Sequence, residues 1–183
     1  MVSEAVVRRV VGTEGAEALM AITGGAWQDY ENEGVPRFHR STRANIVWDY
    51  MAKRSNQLLA GMDGVRRVDR HDRPMYVLRE RLIIRPKLHT RETATRNYPT
   101  AAQVGAQETG LFPEHDYSVI SFGYQLDAAE AGIERYVITS PADSWVVNVQ
   151  ELADGVTNPV TSLLPGMEED LTAIEPIRYK QGS

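Results

Sequence analysis

The hydrophobic pattern of this chain changes period between Gly61 and Gly64, and that change limits the fold more than any other feature. Before it, Val47, Tyr50, Met51, Leu58 and Met62 form a stripe at helical spacing, with Ser41 or Thr42 as N-cap, and predict a helix to about Met62. Further upstream Ala16, Leu19, Met20, Ile22, Trp27 and Tyr30 have the same spacing between Gly12 and Asn32, with Gly24-Gly25 expected to interrupt or end that helix. Glu33-Gly34-Val35-Pro36 then reads as a turn.

After Gly64 the segments are short and rich in Val, Ile and Leu. Val65-Arg66-Arg67-Val68, one long run from Met75 to Leu88, Tyr117 to Leu126, Ile133 to Thr139, and Trp145 to Val149 read as five strands. Pro86 argues for an edge or a bulge in the second, and Gly123 for a bulge or a close backbone approach in the third. The last three are joined by connections short enough for antiparallel hairpins. Asn97 to Gln107 reads as a short helix with Pro99 in its first turn. The expected fold class is α+β, a single domain over 1–153 with N-terminal helices packed on a mostly antiparallel five-stranded sheet. Residues 154–183 form an acidic, Pro-containing C-terminal tail.

A chain of 183 residues buries roughly 70% of its unfolded surface and needs no covalent staple to fold. It has no Cys, which removes disulfides, thiolate metal sites and Cys nucleophiles. The Arg8-Arg9 pair interrupts the N-terminal apolar stretch, and no long apolar run follows; neither a signal peptide nor a membrane span is predicted, and the expected location is cytoplasmic. His39, His71, His89 and His115 lack metal-site spacing and are expected on the surface or satisfied in the core. Phosphate-loop, dinucleotide and nucleophile-elbow motifs are absent from the sequence. No cofactor, metal-binding residue or catalytic residue is assigned.

Charge is unevenly distributed. Between Val35 and Asn97 lie 15 of the 20 basic residues and 6 of the 25 acidic ones, a balance of +9 against −14 in the rest. Two readings follow: an anionic partner for the basic part, or basic and acidic parts pairing with each other in the fold. Candidate binding residues are Arg66, Arg67, Arg79, Arg81, Arg85 and Lys87 on the predicted strands, and Tyr98 beyond them. Asp69 to Lys87 also follows the element order of the PD-(D/E)xK nuclease core, which needs a carboxylate two residues before its Lys. Here that position is Arg85, so the order is matched and the chemistry is not.

Arg43-Ala44, Leu82-Ile83-Ile84-Arg85-Pro86-Lys87, Asn97-Tyr98-Pro99-Thr100 and Phe122-Gly123-Tyr124 followed by Asp127 together resemble a group of uncharacterised bacterial and phage proteins. These are encoded beside helix-turn-helix regulators, some fused to ImmA-type peptidases, in toxin–antitoxin-like or immunity modules. The resemblance spans about Arg40 to Val149. It implies a role as partner or effector in such a module and assigns no catalytic residue. The leading expectation is a non-enzymatic protein that contacts another protein, with a homo-oligomer as a further option and no membrane partner, since no long apolar run occurs. The alternatives are a nucleic-acid-binding protein or degenerate nuclease using the Arg-rich strands, and a structural component of a phage or other assembly.

Overall fold

The computed structural model describes residues 2–34, 39–70, 73–89, 117–140 and 145–155. The first helix, α1 (Glu4–Asn32), starts at an N-cap Ser3 whose hydroxyl accepts from the Val6 amide. Inside it Gly12 has φ 62° and ψ −177°, so the helix is kinked there, at a backbone angle cheap only for glycine. The expected interruption at Gly24-Gly25 does not occur. The helix runs through both, and their missing side chains leave room for the Tyr136 hydroxyl at Gly24 and the Arg54 guanidinium at Gly25.

The second helix, α2 (Arg40–Leu58), begins one residue after His39, whose ring nitrogen accepts from the Ser41 amide at 3.5 Å. It buries Val47, Met51 and Ser55, with Leu59 following at the C-cap. The apolar stripe thus runs at i+4 through a serine, and Leu58, expected in the core, is 40% exposed. The two helices are clamped where Arg54 donates to both oxygens of Asp29, at 2.7 and 2.8 Å. That contact holds the Asp29 carboxyl below its ordinary pKa.

Six strands follow: β1 (Val65–Arg70), β2 (Arg73–Leu78), β3 (Leu82–Leu88), β4 (Ser118–Leu126), β5 (Ile133–Thr139) and β6 (Val146–Asn148), and then a one-turn helix α3 (Val149–Ala153). They form one sheet in sequence order. All neighbours are antiparallel except β3 and β4, which are parallel. The fold class α+β with N-terminal helices stands, and the sheet is mostly antiparallel as expected, but it is mixed and has six strands rather than five. The difference arises because Met75 to Leu88 is two strands, turned at Arg79-Glu80. Nothing in the local composition marks that turn, since neither residue is a Gly, Asn or Pro.

Pro86 stands in an interior strand, not an edge. The β2–β3 register pairs Tyr76 with Ile84 and Leu78 with Leu82, and would next bring Pro74 opposite Pro86. Neither has an N–H to donate, and the ladder stops short of them. The Pro86 carbonyl instead accepts from Trp48 Nε1 on α2 at 3.2 Å.

The core lies between the helices and one sheet face, where Tyr76, Leu82, Ile84, Ile120, Phe122, Tyr124 and Ile138 meet Val7, Leu19, Ile22, Trp27, Val47 and Met51. Trp145 also anchors here, donating to the Val2 carbonyl at 2.9 Å. Tyr76 and Tyr124 are buried with hydroxyls that have no hydrogen-bond partner among the described residues. Burial holds both phenols above their ordinary pKa. The opposite face is buried too, with Met75, Val77 and Ile83 forming a smaller apolar cluster at the β2–β3 end.

Candidate functional site

The structure shows where the arginines of the basic segment go. On α2, Arg43 donates to the Glu130 carbonyl at 3.2 Å and to its carboxylate at 2.6 Å, and Arg40 pairs with the other carboxylate oxygen. Glu130 lies in the β4–β5 turn with φ 54°, so a strained residue is held by two arginines from another element. Arg43 also stands 5.8 Å from the centroid of Trp27, whose ring meets Tyr124 edge-on at 5.7 Å. Replacing Arg43 with Ala is expected to lower stability by about 2 kcal/mol, because it removes two hydrogen bonds to Glu130 and the contact with Trp27, and leaves Glu130 only the exposed Arg40 as ion-pair partner among the described residues. The same change at exposed Arg67 is expected to leave the urea midpoint unchanged; equal midpoints for both variants would refute this ranking.

On β1, Arg66 donates to both carboxylate oxygens of Glu80, at 3.2 and 3.3 Å. Arg67 donates to Asp69 at 2.9 Å and to the Asn56 side chain at 2.6 Å. These two candidate residues are therefore bound within the fold. Arg79 and Arg81, at the β2–β3 turn, are exposed, and neither makes a side-chain ion pair with a described residue. Tyr98 lies outside the described residues, as do the predicted helix from Asn97 to Gln107 and most of the acidic tail.

Arg85 and Lys87 fall on the sheet face away from the helices. Their register partners on β4 are Ser121 and Gly123, and those of β4 on β5 are Thr139 and Val137. Strand alternation puts His89 on the same face as Arg85 and Lys87, so this face changes from apolar at β2–β3 to polar at β3–β4–β5. Ser121, Gln125, Thr139 and His89 are all buried there. Arg85 Nε approaches Ser121 Oγ at 3.4 Å, and His89 Nε2 shares a hydrogen bond with Thr139 Oγ1 at 3.0 Å.

His89 is the residue the sequence undervalued. Its side chain is buried between β4 and β5, and Nδ1 makes no hydrogen bond of normal geometry among the described residues. Burial, reinforced by the Lys87 charge, pushes its pKa down to about 4, while the nearby Lys87 carbonyl acts weakly the other way. The imidazole is therefore neutral at physiological pH. The alternation Arg85, Lys87, His89 was the available signal, since three polar residues at i, i+2 and i+4 share one side of a strand.

In the position where a PD-(D/E)xK centre requires a metal-holding carboxylate, Arg85 presents a guanidinium to a serine hydroxyl. A crevice of about 30 Å³ lies between α1, β1 and the β2–β3 turn, lined in part by Glu14, Leu19, Met62, Asp63 and Arg79. That is room for one or two waters. Among the described residues no group of three His, Asp or Glu is placed to hold a metal ion.

Comparison with protein-family models, curated proteins and solved structures gives no match to this chain. The site is therefore read from its own geometry. No described helix is long and apolar enough to cross a membrane.

Proposed function

We propose that this is a non-enzymatic interaction protein that works by binding a partner protein, as a partner or effector in a toxin–antitoxin-like, immunity or phage regulatory module. The observation that carries the reading is the internal pairing of the basic segment. Arg40 and Arg43 on Glu130, Arg54 on Asp29, Arg66 on Glu80 and Arg67 on Asp69 spend cations on the chain's own carboxylates. A surface that tracks a phosphate backbone needs a continuous row of outward cations, and these pairs break the row. Arg40, Arg43 and Arg54 pair with the acidic part of the chain, as the second reading of the charge split expected, whereas Arg66 and Arg67 pair locally. The motif resemblance supplies the kind of module, so the product of the neighbouring gene, expected to be a helix-turn-helix regulator, is the first partner to test.

Co-expression with that regulator is expected to give a stable complex by size exclusion with light scattering; recovery of both proteins separately removes this reading. For the nucleic-acid alternative, no shift of labelled duplex or single strand is expected at about 50 mM salt, or only one without a steep salt slope. Tight binding with a log–log slope that falls when Arg79 and Arg81 become Ala would establish that alternative instead.

A further inference from the structure

The β2–β3 turn is strained, and its strain is imposed from three sides. Arg79 and Glu80 have φ of 47° and 51°, two successive left-handed residues where Asn-Gly makes the turn without cost. The Arg79 amide donates to the Gly64 carbonyl at 2.6 Å, and the Arg81 amide closes the turn on the Leu78 carbonyl at 3.0 Å. Glu80 is drawn back by Arg66 and by a short hydrogen bond from the Tyr117 hydroxyl. The Arg81 carbonyl accepts from the Ser118 amide at 3.2 Å at the start of β4. With the carboxylate pinned, the arginines on either side of it stay exposed.

The turn itself needs no arginine: the backbone bonds use amides and carbonyls, and a left-handed arginine is a poor choice for the fold. We propose that Arg79 and Arg81 form a contact surface that receives an acidic segment of a partner protein. This rests on the partner-binding reading above and names its surface. A peptide is favoured over a nucleic acid because the tip has mixed charge. Glu80 stands between the arginines, Asp63 and Glu14 line the crevice beside Arg79, and the chain carries a net −5. A phosphate chain carries a charge on every residue and so brings charge against all of these, whereas a peptide can carry carboxylates opposite the two arginines and neutral residues elsewhere.

The test uses the full chain and a short labelled peptide with two Glu in an otherwise neutral sequence, with its Gln counterpart and a short DNA strand as controls. At low salt the Glu peptide is expected to bind and the Gln peptide not, and the Arg79→Ala/Arg81→Ala variant to bind about tenfold more weakly. Lys53→Ala, which removes an exposed cation on α2, is expected to bind as the parent does. Arg79→Asn supplies a second readout of opposite sign. It is expected to raise Tm by about 2–4 °C through relief of the left-handed strain while weakening the peptide. Equal binding of Glu and Gln peptides, or an unchanged double variant, overturns the proposal, and tighter DNA binding through the same arginines replaces the peptide with a nucleic acid. If the regulator complex forms and survives the double substitution, this surface is wrong and the partner reading stands; if the peptide behaves as expected and no complex forms, the surface stands and that partner is wrong.

Discussion

Gly123→Ala is expected to destabilise the protein by about 3 kcal/mol or more, the largest effect of a methyl added at any described glycine. A Cβ built on Gly123 would overlap the carbonyl oxygen of Lys87 and lie 2.8 Å from its carbonyl carbon. The obstacle is backbone, so no rotamer change relieves it. Only parting β3 from β4 would do so, and that breaks the parallel ladder between them. His89 Nδ1 is a further 3.3 Å neighbour, so the same methyl also crowds the buried imidazole. Gly61→Ala, where an added Cβ meets nothing within 4 Å, is the matched control and is expected to be neutral. Urea unfolding of both variants checks this; a Gly123→Ala midpoint within error of the control means the two strands are not so closely apposed.

The second large effect is a pH dependence assigned to one side chain. Folded His89 has a pKa of about 4, against 6.5 for an ordinary histidine. Above about pH 6.5 both folded and unfolded chains carry a neutral imidazole, and no stability difference arises. Between those two values the unfolded chain takes up a proton that the folded chain refuses, so stability falls as the solution is acidified. Across that window the loss amounts to about 3 kcal/mol, and it levels off below about pH 4. His89→Gln keeps an amide within reach of Thr139 and is expected to remove this part of the acid sensitivity, leaving that of the carboxylates. Urea titrations of parent and variant at neutral pH and near about pH 4.5 isolate the difference. The same loss in both would place the acid sensitivity elsewhere.

These effects meet at the β3–β4 seam, and the sequence showed that seam only in fragments. Gly123 was legible as a close approach because a glycine inside a strand packs no side chain of its own and commonly marks a bulge or a neighbouring backbone. What it approached was not legible, since the antiparallel hairpin pattern gave no hint that β3 and β4 run parallel. His89 was equally hidden. The alternation of Arg85, Lys87 and His89 put it on one side of a strand, but nothing showed that side to be buried until the register placed Thr139 beside it.

The arginines divide in the same way. Their concentration between Val35 and Asn97 is visible to counting, but their partners are not. Glu130 lies far along the chain from Arg43, and Asp29 lies in another helix from Arg54. The β2–β3 turn was missed because its two residues obey no turn rule. Tertiary bonds from Gly64, Arg66 and Tyr117 hold Arg79 and Glu80 where local preference would not.

Local physics sufficed for whatever depends on neighbours in sequence. Periodicity located α2, the part of α1 after Gly12, and four of the six strands, the change of period at Gly61 to Gly64 separated helices from sheet, and the residue types removed thiol chemistry and disfavoured a nuclease centre at Arg85. Tertiary structure alone decided the parallel pairing, the division of Met75 to Leu88 into two strands, and which cations remain exposed. Each of these turns on contacts between residues distant in the chain, whose energies no local pattern records.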